Sequence, residues 1–158
     1  MDTNNQHDPL ITIGAVEWVA LPELGIRKLR ARTDTGAASS ALHVENIQEF
    51  SRDGVDWVRF DVITGTSKHW RRRSAEALVA GMRKVRNTSG EVETRYLIRT
   101  HLMIGGNDWV IDVNLTDRSN MRYRMLLGRS TMRNRVLVNP SRLYLQGKPQ
   151  RQTDSDSD

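Results

Sequence analysis

The sequence predicts a mainly antiparallel β domain on three observations: apolar residues alternating with polar ones, turn residues joining such runs, and one short helix-like segment near the end. The alternation is plain in Trp57-Val58-Arg59-Phe60-Asp61-Val62 and in Leu97-Ile98-Arg99-Thr100-His101-Leu102-Met103-Ile104, where a period of two puts every second side chain on one face of a strand. Gly105-Gly106-Asn107-Asp108 joins the second run to Trp109-Val110-Ile111-Asp112-Val113-Asn114-Leu115, and such residues suit the turn of a hairpin. The segment Arg73 to Lys84 sets good helix formers (Ala75, Glu76, Ala77, Leu78, Met82) between extended-looking flanks, and is read as strand and loop. A short helix is expected after Gly128, at Arg129-Ser130-Thr131-Met132-Arg133. A strand-like Arg135-Val136-Leu137-Val138 follows, closed by Asn139-Pro140. No internal repeat is visible, so any two-fold symmetry that the function needs must come from a second chain.

At 158 residues the chain suits one domain with its own core. The polar residues 1–9 and the acidic residues 146–158 read as disordered tails around a folded unit at 10–145. Lys plus Arg number 24 against 19 Asp plus Glu; only four are Lys, which leaves 20 Arg. Arg presents a planar fork that grips carboxylates and phosphates in two places at once, so the surplus points to an anionic partner as much as to a solvated surface. The absence of Cys removes disulfides, thiolate nucleophiles and Cys-based zinc sites. No secretory signal and no membrane span is visible, so a cytoplasmic protein with no membrane partner is expected.

The most specific local feature is Ala31-Arg32-Thr33-Asp34-Thr35-Gly36-Ala37-Ala38-Ser39-Ser40, a basic strand running into small residues. Gly allows a sharp turn beside the carboxylate, and the Thr hydroxyl can tie the loop down. Two such carboxylates about 3 Å apart cannot both ionise; they share a proton and divide into base and acid. Asp-Thr-Gly is also an ordinary turn, and what adds weight is Met125-Leu126-Leu127-Gly128-Arg129, an apolar strand entering a helix through Gly about ninety residues later.

Together, Asp34-Thr35-Gly36-Ala37 and Leu126-Leu127-Gly128-Arg129 resemble the two signatures of retropepsins, viral-type aspartic proteases that work as homodimers. More closely, the chain resembles a bacterial RimB-like group, historically labelled ATP-dependent zinc proteases and associated with RimK-type glutamate ligases. The resemblance is carried by Lys28 to Ala37, Val58-Arg59-Phe60, Arg83-Lys84-Val85-Arg86, Ser89-Gly90, Leu115 to Met121 and Leu126 to Arg129, and spans about Ile13 to Leu145.

What the resemblance implies is a retropepsin-like (acid protease) closed β-barrel with one short C-terminal helix, one catalytic Asp per chain, an active site at the homodimer interface, and a hairpin flap over the cleft. On it Asp34 is the catalytic residue, and Thr35 is the one that hydrogen-bonds across the dimer. Gly36 and Ala37, with Ala38 beside them, line the substrate channel, and Gly128 and Arg129 open the supporting helix. Viral retropepsins carry an Asp at the position of Ala38 to pair with the helix Arg, so the partner of Arg129 stays open. The flap tip is placed at Asn87-Thr88-Ser89-Gly90, with Gly65 as the competing turn. Arg83, Arg86 and Arg95, with Ser89 and Gly90, are then placed to hold an acidic peptide or glutamate-tailed protein, since the group is thought to trim glutamate tails added to a ribosomal protein.

The inherited label finds no support in the residues. There is no Gly-x-x-x-x-Gly-Lys-Ser/Thr loop, and His7, His43, His69 and His101 are scattered without a His-Glu-x-x-His motif. No cofactor and no metal is expected, a His/Asp site assembled over long range being the open alternative. His43 and His101 read as strand residues with ordinary hydrogen-bond partners, and His69 as part of a basic loop. Lys68-His69-Trp70-Arg71-Arg72-Arg73 could grip a nucleic-acid backbone, or serve as a solvated edge or dimer contact; nucleic acid is not the favoured partner. Trp18, Trp57, Trp70 and Trp109 are expected in the core or at a dimer interface.

Overall fold

The computed structural model describes residues 9–66, 68–86, 89–118 and 121–149. Its elements in chain order are β1 (Ile11–Ile13), β2 (Val16–Leu21), a 3-10 turn (Pro22–Leu24), β3 (Ile26–Thr33), β4 (Ser40–Arg52), β5 (Val55–Gly65), β6 (Trp70–Arg86), β7 (Val92–Ile104), β8 (Asn107–Thr116), β9 (Met125–Leu127), α1 (Arg129–Met132) and β10 (Val136–Val138). The protein is thus mainly β, with one short helix among the described residues, placed where Gly128 ends an apolar strand. Strands β2 to β9 form one large sheet in the order β2-β3-β9-β4-β5-β6-β7-β8, and extra pairings of β2 with β7 and of β4 with β8 fold it back on itself. β1 and β10 make a separate parallel pair.

Alternation explains most of these strands. In β5, Val58, Phe60 and Val62 point inward, and in β7 Ile98, Leu102 and Ile104 do the same. They meet Leu42, Val44, Val113, Leu115, Met125 and Leu127 in a single aliphatic core. The hairpin of β7 and β8 turns on Gly105-Gly106 alone, since Asn107 already pairs with Ile104; Gly105 takes φ +56° there. β6 differs from the strand-and-loop reading. It runs unbroken for 17 residues, pairing with β5 from Gly65↔Trp70 to Trp57↔Leu78 and with β7 from Val79↔Ile98 to Arg86↔Val92. β5 pairs its first half and β7 its second, and these ladders outweigh the weak helix preference of its Ala, Leu and Met residues.

The tryptophans, expected in the core or at a dimer interface, lie at the edge of the core or on the surface of the single chain. Trp18, Trp57 and Trp109 are half-buried and Trp70 is exposed, so none belongs to the sealed core. All four lie under cations: Arg52 stands 4.7 Å from the Trp57 ring, Lys28 5.0 Å from Trp18, Arg135 5.1 Å from Trp109 and Arg72 5.9 Å from Trp70. Charge organises the outer faces as well. Arg72 bridges Glu45 of β4 and Asp61 of β5, and its hydrogen bond, followed by that of His43, holds the Glu45 carboxyl below its usual range.

The chain's end is fastened by one buried acid. Glu17 is fully buried, and its carboxylate accepts backbone N–H groups from Gly14 (2.7 Å), Leu145 (2.9 Å) and Gln146 (3.0 Å). The Gln146 side chain adds a bond to the Thr12 carbonyl, and the Gly147 N–H donates to the Tyr144 carbonyl. Three amide donors compensate a carboxylate taken out of water. Glu17→Gln keeps the shape but turns an NH2 toward those donors. It is expected to lower unfolding free energy by about 1–3 kcal/mol, read from the denaturant midpoint; an unchanged midpoint would show that the clamp contributes nothing.

Candidate active site

β3 ends at Thr33 and β4 begins at Ser40, and β9 lies between the two. It runs parallel to β3, with Ala31↔Met125, Arg32↔Leu126 and Thr33↔Leu127, and antiparallel to β4, with Ala41↔Leu126 and Leu42↔Met125. The loop at 34–39 must therefore cross the end of β9, where Gly128 turns the chain into α1. Backbone bonds fix the crossing: Asp34 N–H donates to the Leu127 carbonyl (2.9 Å), Arg129 N–H to Ala37 (2.9 Å) and Ser130 N–H to Ala38 (3.0 Å). Ser40 Oγ accepts the Gly128 N–H at 3.0 Å and lies 2.6 Å from Thr131 Oγ1. Gly128 packs so closely that an added Cβ would stand 2.4 Å from the carbonyl of Ser39.

Within the loop, the Gly36 N–H donates to Asp34 Oδ1 at 3.0 Å. Gly36 is not among the left-handed glycines; its value lies in room, since a Cβ would come within 3.3 Å of that oxygen. Asp34 is half-buried, while Thr35, Gly36 and Ala38 are exposed, so the carboxylate is held on one side and open on the other. The hydroxyl that ties the loop within the chain belongs to Thr33, not Thr35. Thr33 Oγ1 donates to the carbonyls of Gly14 and Ala15 at 3.2 and 3.1 Å. The Thr35 carbonyl takes a different role: it accepts from Arg129 Nη1 at 3.0 Å, which supplies the partner that the sequence left open.

Asp34, Thr35, Gly36, Ala37, Ala38, Gly128 and Arg129 thus come together as one unit. Thr33, Ser40 and Thr131 belong to it too, and sequence reasoning missed them; the only signal was a run of small polar residues after the Asp-Thr-Gly turn. Arg83, Arg86, Ser89, Gly90 and Arg95 form a second unit, the β6–β7 hairpin. Arg83 faces Arg95 across the pair, Arg95 bonds Glu93 at 3.1 Å, and Arg86 Nη1 donates to the Gly90 carbonyl at 2.8 Å. Of the expected flap tip, Asn87 and Thr88 lie outside the described residues. The competing turn at Gly65 closes another hairpin, between β5 and β6, with His69 in its loop.

The described residues bring His43, Glu45 and Asp117 within 4.8 Å of one another, a juxtaposition invisible in sequence. Hydrogen bonding argues against a metal ligand at His43. The Arg118 backbone N–H donates to Nδ1 at 2.9 Å, which leaves the ring proton on Nε2, where it faces Glu45 at 3.0 Å. A cation on Nε2 would displace that proton toward a nitrogen already facing a donor, and Arg72 already neutralises Glu45. His101 likewise has an ordinary partner, Asp108 at 2.9 Å, whose hydrogen bond raises its pKa. No helix among the described residues is long and apolar enough to cross a membrane.

The sequence model of the RimB-like family, described as the retropepsin-like aspartic endopeptidase RimB, matches residues 12–149. A probable alpha-L-glutamate ligase of Parasynechococcus marenigrum is 47% identical over 130 residues, covering 82% of this chain and 28% of the relative. Another, from Shewanella pealeana, is 39% identical over 141 residues, covering 89% of this chain and 31% of the relative. The chain therefore spans less than a third of the length of these curated relatives. A crystal structure of a Legionella pneumophila protein of unknown function superposes with a TM-score of 0.71 at 30% identity, covering 86% of this chain and 98% of that one.

The crossing yields a direct test. Gly128→Ala should drive a methyl group into the Ser39 backbone and lower stability by about 1–3 kcal/mol, or prevent folding. Denaturant unfolding measures it, and a midpoint equal to the wild type's would mean that loop and helix are not in the contact described.

Proposed function

The chain belongs to the RimB-like family, and we propose that it is an aspartic endopeptidase with a retropepsin-like barrel, in which Asp34 becomes catalytic when two copies pair. The observation that carries this reading is the Asp34 loop itself: a half-buried carboxylate, one oxygen held by the Gly36 N–H, on a backbone clamped by β9 and α1. Each chain has a single Asp-Thr-Gly, so the second carboxylate comes from the second copy. Two carboxylates at about 3 Å hold one proton between them. The ionised partner removes a proton from water, and the protonated one donates a hydrogen bond to the peptide carbonyl and polarises it.

The exposed Thr35 hydroxyl is free to bond across the dimer. The β1–β10 pair stands apart from the large sheet, and Leu10 (46%) and Leu137 (57%) are exposed in or beside it, which suits an apolar contact between copies. The β6–β7 hairpin serves as the flap, and its Arg83, Arg86 and Arg95 favour an acidic chain in the cleft. Relatives named as glutamate ligases support a substrate class of acidic or glutamate-tailed proteins and a functional link to a RimK-type ligase. The enzyme then reverses what such a ligase adds. A cytoplasmic setting fits that pairing.

Asp34→Asn is expected to reduce cleavage of a glutamate-tailed protein by about 100-fold or more, read as product masses. The unfolding midpoint and the sedimentation of the dimer should stay near the wild-type values. Equal turnover by the two proteins would remove Asp34 from the chemistry.

A further inference from the structure

On the outer face of β3, Lys28, Arg30 and Arg32 are exposed and alternate with buried Leu29 and Ala31. A strand's period spaces these cations about 7 Å apart, and Asp34 follows Arg32 by the same step just past the strand. The parallel register of Ala31 with Met125 carries Arg124 alongside Arg30. Arg30, Arg32 and Arg122 stand 5.3, 5.9 and 5.8 Å from the ring of Tyr123. Lys28, Leu29, Arg30, Arg122, Tyr123 and Arg124 line a groove of about 700 Å³, and Arg32 and Asp34 lie beyond its lining.

The groove concentrates positive charge without neutralising it. Among the described residues, no carboxylate forms an ion pair with Lys28, Arg30, Arg32, Arg122 or Arg124. Glu45 reaches the groove but is engaged by Arg72 and His43. Arg124 is half-buried, and burial, followed by repulsion from Arg30, pushes its pKa down. Its Nη1 is held by the Gly65 carbonyl at 2.9 Å, so this cation cannot swing away. Aromatic rings beneath the other cations restrain them in turn, which lowers the ordering cost of binding an anion.

We propose that this groove, continued past its lining by Arg32, is a carboxylate-reading track for an extended acidic polypeptide, with Lys28, Arg30 and Arg32 engaging alternate side chains of the bound chain and Arg122 and Arg124 adding charge alongside them. An extended peptide repeats its side chains on one face at the same spacing of about 7 Å as the cations of β3, and guanidinium forks match carboxylates. Single-stranded nucleic acid fits less well, because it needs open aromatic faces for base stacking. Here Tyr123 is covered by guanidinium groups, and Trp18 lies between Lys28 and Tyr144, its ring stacked on the tyrosine at 5.3 Å. The track deepens the reading of Asp34 as the catalytic group and rests on it for what happens at the track's end, whereas binding can be measured without catalysis.

The test is binding of a fluorescent hexaglutamate peptide to the full chain carrying Asp34→Asn, followed by anisotropy. Adding Arg30→Ala and Arg122→Ala together should weaken binding at least about tenfold. Arg30→Lys should keep part of the affinity, and Arg27→Ala, which removes an exposed charge off the alternation, should leave it unchanged. If the double variant does not fold, Arg32→Ala on the exposed face replaces it, with an expected loss of about threefold or more. Unchanged affinity in the folded variants overturns the track. So does an oligouridylate that binds more tightly than the peptide and loses affinity in the same variants. Cleavage by the chain with Asp34 intact separates the two readings: peptide binding that depends on Arg30 and Arg122 without any hydrolysis sinks the protease alone, while hydrolysis with a KM indifferent to them sinks the track alone.

Discussion

The close contact between Gly128 and the backbone of Ser39 is the constraint on which the rest of the site depends. β9 can lie between β3 and β4 only if the loop joining those strands passes over its end, and the loop can do so only where no side chain stands in the way. Once the loop is in place, the strand and helix below hold it through the Leu127 carbonyl, which accepts the Asp34 N–H, the Gly128, Arg129 and Ser130 amides, which donate to Ser40 Oγ, Ala37 and Ala38, and the Arg129 guanidinium. A catalytic carboxylate needs this kind of rigidity, because positional error in a reacting group is costly. The core contributes by burying Leu127 on one side of the crossing and Met132 on the other.

Much of this was legible because the chemistry restricts residue choice. An acid in a turn of small residues and a glycine between an apolar strand and a helix are local patterns, and both lie where the sequence puts them. What could not be read were relations without a residue code. The partner of Arg129 is a backbone carbonyl, which any residue at position 35 would offer. Which threonine ties the loop depends on whether Gly14 and Ala15 lie beside Thr33, a matter of strand register. β6 misled because its Ala, Leu and Met content reflects helix preference, while its two neighbours decide its conformation. The cations over the tryptophans were another relation of this kind, since side-chain size says nothing of which charged residue will lie over a ring.

Charge follows the same division between faces and core. Carboxylates and guanidinium groups on the β4–β5–β6 face neutralise one another through Arg72 and through Glu76 with its partners Arg52 and Arg59. Among the described residues, the outer face of β3 has no such ion pairs. A sequence rich in Arg shows the surplus but not its location, since the folding of β9 against β3 is what brings residues 122–124 beside residues 28–32. Surplus charge and the acid loop then meet along one strand, which on the proposed reading joins substrate selection to chemistry.

The central claim is that the active site is made by two chains, each supplying one Asp34. An experimental structure of the assembled protein tests it most directly, through the separation of the two Asp34 carboxylates. The account predicts about 3 Å, with the Gly36 N–H still bound to each. Asp34 side chains lying far apart in every assembly, with no other carboxyl group beside either, would contradict it.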